Sequence, residues 1–208
     1  MDWYDLGLRV QDSQTLFTAR ALGYRGVGIL TPYKKGTPKG SNNGPEGLEI
    51  VQGVELSRKV KPKAKDIRRS ILLISAQGED RDAVETPEID VVFPRELNHI
   101  MAKLAKKNQV AIGFDFHPLL HESKRGREEV LERYFGIAKL VRKYTVPFLL
   151  TSGAKNSWDL RAPSDLIAFG KVLGFSEPAC KQALSGNFLK ENKKRLGKNW
   201  IAPGIEKE

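Results

Sequence analysis

Apolar residues in this chain fall into short runs separated by polar segments of fairly even length. WYDLGL (3–8), YRGVGIL (24–30), LEIVQGVEL (48–56), ILLIS (71–75), IDVVF (89–93), VAIGFDF (110–116) and PFLLTS (147–152) are mostly too short for helices and rich in Val, Ile and Phe. They predict strands. ILLIS and PFLLTS are apolar almost throughout, as strands covered on both faces are. Between the runs the spacing becomes helical. Asp12 or Ser13 can cap a helix that Gly23 ends. Leu97, Ile100, Met101 and Leu104 form one stripe over 96–107, and Val130, Tyr134, Ile137, Ala138 and Val141 form another over 128–143. Near the end, Pro163 to Gly174 and Ser176 to Gly186 each read as a helix with a start and a stop signal.

Alternation of strands and helices implies parallel strands joined by right-handed crossovers. The runs predict about seven strands, where a complete barrel has about eight. The fold class is therefore α/β, either an incomplete TIM-like barrel or an open doubly wound sheet. Even spacing and the lack of a Gly-rich dinucleotide fingerprint after a strand favour the barrel. Residues 1–208 read as one domain with a basic C-terminal tail from about 187 to 208, and with no linker or repeat. The long loop 31–47, TPYKKGTPKGSNNGPEG, follows a strand and should lie on the face where barrels carry function.

Charge adds a partner class to this fold. Lys and Arg number 35 against 25 Asp and Glu, a net charge of +10, which attracts polyanions. Basic residues concentrate in LSRKVKPKAKDIRRS (56–70) and KENKKRLGK (190–198), whereas 79–90 is acidic apart from Arg81. Such a two-signed surface suits RNA on one side and a basic protein on another, although either run also fits a solvated face. The lone Cys180 excludes an intramolecular disulfide and a cysteine-based zinc site. No apolar run approaches the roughly 18 residues of a membrane span. The opening MDWYDLGLRV lacks a signal-peptide pattern, so a cytoplasmic chain without a membrane partner is expected.

Candidate chemistry is sparse. His117 and His121 lie in DFHPLLHE with Asp115 and Glu122 nearby, but Pro118 is expected to break the helix that would place both imidazoles on one side. A hydrogen-bonded or RNA-contacting His117 is the preferred reading, and no metal site is expected. His99 falls off its helix's apolar stripe and should be at the surface. Asp5, Glu49, Glu55 and Asp115 flank strands and are read as salt-bridge partners rather than an acid–base pair. There is no GxSxG, Walker loop or paired CxxC. TSGAKNSWDLR follows a strand and offers backbone amides with Lys155 and Arg161 as a phosphate-binding set, or else is an ordinary loop with basic decoration.

Two long segments, NHIMAKLAKKNQVAIGFDFHPLL and VRKYTVPFLLTSGAKNSWDLRAPSDLIAFGKVLGF, resemble the archaeal ribonuclease P protein component 3 family, the p30-type subunit. The matching elements are Pro118 to Leu120, Ser152 to Lys155, and Leu160, Arg161, Pro163 and Asp165. RDAVETPEIDVV and VQGVEL are similar more weakly, so the resemblance spans most of the chain. It implies a barrel related to metal-dependent phosphoesterases. Those enzymes carry HxH after the first strand, where this chain reads DLGLRV, without histidine. The resemblance further implies a subunit of the ribonucleoprotein that removes the 5′ leader of precursor tRNA. Cleavage would lie with the RNA and its Mg²⁺, and the chain itself would hold no cofactor and no catalytic residue. Implied partners are ribonuclease P RNA, protein component 2 and the other subunits, with precursor tRNA met indirectly. Lys34, Lys35, Lys39, Arg58, Arg68, Arg69, Arg81, Arg95, His117, Lys155 and Arg161 are the candidate RNA contacts, chosen for predicted strand ends and the matched motifs. The rivals are a freestanding phosphoesterase using Asp115, His117 and His121 on a metal, and a scaffold that binds only the partner protein.

Overall fold

The computed structural model describes residues 2–34, 44–57, 60–68, 70–77, 81–195, 200–202 and 205–206. Seven strands run β1 (Trp3–Leu8), β2 (Tyr24–Pro32), β3 (Glu49–Leu56), β4 (Leu73–Gln77), β5 (Val91–Phe93), β6 (Ala111–Asp115) and β7 (Phe148–Thr151). Each pairs in parallel with the next, in the order of the sequence. The helices are α1 (Ser13–Ala21), α2 (Val60–Ile67), α3 (Arg81–Glu85), α4 (His99–Asn108), α5 (His117–His121), α6 (Lys124–Tyr144), α7 (Pro163–Val172), α8 (Glu177–Ala183) and α9 (Lys190–Arg195). A two-stranded antiparallel pair, Trp200–Ala202 with Ile205–Glu206, lies outside the barrel sheet.

Between β1 and β7 the sheet closes without a regular ladder. Asp5, fully buried, bridges the gap: its carboxylate accepts from the Thr151 hydroxyl, from the Ser152 amide at 3.1 Å and from the Gly7 amide at 3.3 Å. The Arg9 amide donates to the Ala154 carbonyl at 2.8 Å on the same seam. Burial raises the Asp5 pKa, while these donors oppose the rise. Asp5 therefore serves the seam and not a salt bridge, contrary to the reading of it as an ion-pair partner. A Cβ at Gly7 would stand 2.2 Å from the Thr151 hydroxyl oxygen, so β1 approaches β7 more closely than any side chain at position 7 permits.

The barrel interior is narrow. Tyr4, Leu6, Leu30, Val51, Leu73, Val91, Ala111 and Leu149 fill it, and Leu189 from the chain's C-terminal part packs with them. Gly113 leaves room for the Phe93 ring, which a Cβ there would meet at 2.3 Å. The helices cover the outside of the sheet in a larger cluster that includes Phe114, Tyr134, Phe169 and Phe175. The start of the tail is packed: Leu189 is fully buried, and Asn192 donates to the Leu72 carbonyl and to Asp90, both at 2.9 Å.

α1 begins and ends where expected, with Asp12 accepting from the Thr15 amide and Gly23 at φ +91°. The expected stripe of α6 is its buried face, residue for residue. The stripe of α4 is rotated: Met101, Ala102 and Ala105 are buried and Ile100 is 57% exposed. Small Ala102 and Ala105 let α4 lie close to its neighbours, and that approach turns Ile100 outward. β4 and β5 each start two residues later than predicted, and Asp90, just before β5, takes the Ile74 amide on its carboxylate at 2.7 Å. α2 and α3 fall within the two charge runs, where no helix was expected.

Candidate nucleic-acid interface

In a sheet of parallel neighbours, every loop that follows a strand emerges at the same end. That end carries Arg9, Lys34, Arg95, His117 and Lys155, and Arg81 opens the helix after β4. Lys34, Arg81, Arg95 and Lys155 are exposed there. Arg81 is paired with Glu85 one helical turn on, and Arg95 lines a shallow groove with Arg133. Arg161 is half-buried, with its guanidinium 5.6 Å above the Phe116 ring and Nη1 on the Leu160 and Trp158 carbonyls. Lys35, Lys39, Arg58 and Arg69 lie outside the described residues. Arg68 is at the opposite end. Its guanidinium holds both oxygens of Asp90 at 2.7 Å and the Asn192 side chain at 2.7 Å, which makes it a residue of the fold.

The segment after β7 does not offer its amides to a ligand. The Ser152 amide goes to Asp5, Gly153 to the Thr151 hydroxyl at 3.2 Å, Ala154 to the Ser152 hydroxyl at 3.3 Å and Lys155 to Asp159 at 3.1 Å. Of the two readings left open for this segment, the amides of residues 152–155 do not support a backbone phosphate cradle, since each already has an acceptor within the chain. Gly153 is needed because φ is +65° and a Cβ would meet the Asp115 carboxyl carbon at 3.0 Å. Asn156 caps a single 3-10 turn (Ser157–Asp159) by accepting from the Trp158 amide at 2.9 Å. The turn presents Trp158 83% exposed, between Lys155 and Arg161. Sequence reasoning passed over Trp158; its signal was an aromatic inside a basic, polar loop.

At the barrel mouth Arg9 is the central charge. It reaches Glu55 at 2.9 Å and Asp115 at 2.8 Å, and all three side chains are nearly buried. These two carboxylates are salt-bridged, as expected, and Glu49 pairs with Lys193 at 2.6 Å. One guanidinium serves two acids, and Asp115 Oδ1 has no hydrogen-bond partner. Burial pushes the Asp115 carboxyl up to about 6, with Arg9 opposing the rise and Glu55 adding to it. The folded chain holds this proton more tightly than the unfolded chain does. Asp115's contribution to stability is therefore complete below its ordinary 3.8 and lost as pH rises through about 6. Asp115→Asn should flatten the stability–pH curve between about pH 4 and 7, read by urea unfolding at each pH.

The mouth does not suit the metals of phosphoesterase barrels. Where those enzymes carry a histidine pair after the first strand this chain reads DLGLRV, Gly7 has no room for a side chain, and a permanent cation, Arg9, already lies between Glu55 and Asp115. The two later histidines behave otherwise than expected. Pro118 sits in the first turn of α5 and starts that helix instead of breaking it. His117 and His121 consequently lie together, ring centroids 4.4 Å apart, with Asp159 between them and Asp115 outside the group. His121 Nε2 is 2.7 Å from Asp159 Oδ1. Burial and Lys155 hold the His117 pKa below its ordinary value. His99 is exposed, as expected, with Nδ1 on the Tyr144 hydroxyl at 2.9 Å.

The family model described as RNase P subunit p30 matches residues 4–195. The chain belongs to the RNase P subunit p30 family. It is 33% identical to the ribonuclease P protein component 3 of Methanococcoides burtonii, over 98% of this chain and 93% of that protein. It is also 33% identical to the protein of that name from Methanosarcina mazei, over 90% and 85%. Among solved structures, a chain of archaeal ribonuclease P with mature tRNA, seen by cryo-EM, superposes with a TM-score of 0.82 at 21% identity, covering 98% of this chain and 96% of that one. Lactococcus lactis histidinol phosphate phosphatase superposes at 0.52 and 8% identity, over 84% and 93%. The p30 fold is thus a seven-stranded, nearly closed TIM-like barrel of the shape found among phosphoesterases. Among the described residues, no helix of this p30-family chain is long and apolar enough to cross a membrane.

Proposed function

We propose that this chain is a cytoplasmic, non-catalytic subunit of ribonuclease P that binds the catalytic RNA and supports removal of the 5′ leader of precursor tRNA. The p30 family match across residues 4–195 carries the reading. A barrel mouth filled by Arg9 supports assigning cleavage to the RNA and its Mg²⁺. The RNA face is the end bearing Lys34, Arg95, Lys155, Arg161 and Trp158, with Lys35, Lys39 and Arg58 in segments that follow β2 and β3. His117 lies mostly buried beneath that face, and component 2 with the other subunits would occupy the remaining surface. Reconstituting precursor-tRNA cleavage from the RNA, the partner subunits and Mg²⁺, with and without this chain, tests the proposal; equal rates would sink it. Cleavage of precursor tRNA by the chain alone with a divalent metal would favour the freestanding phosphoesterase instead.

The cations and the indole on this face should separate by assay. Lys155→Ala and Arg161→Ala should each weaken binding about equally across RNA sequences and lower the salt slope by roughly one unit. Trp158→Ala should cost about 1–3 kcal/mol through lost base stacking and leave the slope unchanged. Filter binding over a salt series reads both. If all three variants bind as the parent does, the RNA face lies elsewhere, and crosslinking to protein subunits alone would point to the scaffold reading.

A further inference from the structure

We propose that His117, His121 and Asp159 hold one divalent transition-metal ion of the zinc class, tying α5 after β6 to the 3-10 turn after β7. The site lies beside the barrel mouth, where a Cβ at Gly153 would meet both Asp115 and His117, but it shares no ligand with the Arg9 cluster and does not depend on the RNA-subunit reading. One ligand atom from each residue lies within 4.8 Å of the others, the separation that a single ion can draw together. His121 Nε2 is 2.7 Å from Asp159 Oδ1, and His117 Nδ1 is 3.6 Å from Asp159 Oδ2. The second observation is a nitrogen with nothing to do: His117 Nδ1 is buried and has no hydrogen-bond partner, although it faces the carboxylate. Buried polar atoms without partners are rare, and an ion between Nδ1 and Oδ2 would satisfy this one.

The surroundings orient the carboxylate as an outer shell orients a ligand. Asp159 is almost fully buried, and its Oδ2 accepts from the Lys155 amide at 3.1 Å and from the Asn156 side chain at 2.9 Å. Two imidazoles and one carboxylate suit zinc, cobalt or nickel and do not suit magnesium or calcium, which take oxygen ligands. His121 is half-exposed, so a fourth position stays open to water or to an anion drawn by Lys155. The ion would fix the turn that presents Trp158 and Lys155. Its role is to hold that turn, and no bond-breaking step is assigned to it.

The test uses the untagged, metal-stripped full chain, whose remaining histidine is His99. Zn²⁺ alone is titrated by calorimetry against a competing chelator, and Co²⁺ is added separately to read the visible spectrum of a tetrahedral site. Expected are one equivalent of Zn²⁺, a higher melting midpoint with Zn²⁺ but not with Mg²⁺, and intense Co²⁺ bands. His121→Ala removes a half-exposed ligand and should keep the fold, checked by circular dichroism. It should weaken Zn²⁺ by roughly 100-fold or more, since even residues beyond the ligands account for 10–100-fold. Equal Zn²⁺ affinity in parent and variant, or no saturable one-to-one binding, overturns the site. If the variant does not fold, the parent's Co²⁺ spectrum decides: weak octahedral bands reject the site.

Discussion

Replacing Arg9 with Met should destabilise the protein by about 3–5 kcal/mol, the cost of removing one partner from a buried ion pair. For a chain of this size that is a fall of roughly 6–20 °C in melting midpoint, read by circular dichroism or calorimetry. Glu55 and Asp115 approach Arg9 from β3 and from the end of β6, and both are nearly buried. Without the guanidinium they would face each other unpaired. The loss should be smaller at pH 5 than at pH 8, because the Asp115 carboxyl, already pushed up to about 6, can take a proton and relieve the repulsion. Arg9→Met combined with Glu55→Gln and Asp115→Asn should recover much of the loss, since no charge is then stranded. A single Arg9→Met as stable as the parent at pH 8 would show that the cluster contributes nothing. In this cluster one arginine side chain supplies the positive charge between two acids at the mouth of the barrel.

Legibility from sequence followed the range of the interactions involved. The seven strands were readable because each is a local apolar run. The buried face of α6 was readable because Val130, Tyr134, Ile137, Ala138 and Val141 keep one period over many residues. α2 and α3 were hidden because charge masks a short helix with few buried positions. The rotation of α4 depends on how closely Ala102 and Ala105 let its neighbours come, which no periodicity encodes. At the candidate site the limiting quantity was sequence separation. Arg9 finds partners 46 and 106 positions away, and His121 finds Asp159 at a distance of 38 positions. Pro118 misled for a local reason: the same residue that stops a helix from within begins one at its first turn. The Ser152–Lys155 motif was recognisable as a pattern, yet its chemistry lay in amides turned inward to Asp5, Asp159 and neighbouring hydroxyls.

Arg68→Met tests the division between residues that hold the barrel and residues that meet RNA. Position 68 lies in the most basic run of the sequence, so charge alone places it with the RNA contacts. Its guanidinium instead takes both oxygens of Asp90, which is 7% exposed and also accepts from the Ile74 amide and Asn192. Three parts of the chain meet there: the segment after α2, the entry to β5, and α9. Removing the cation leaves Asp90 with two neutral donors for a buried charge. The expected loss is about 3–5 kcal/mol, by the same reasoning as for Arg9. Asp90→Asn should cost less when added to Arg68→Met than alone, because the two share one interaction. Measured at a temperature where the variant remains folded, RNA affinity should fall little and the salt slope should not change, in contrast to Lys155→Ala. A slope reduced by one unit with stability unchanged would return Arg68 to the RNA face. The two ends of the barrel would then both carry RNA contacts, and the basic run at 56–70 would have to be reassigned as part of that surface.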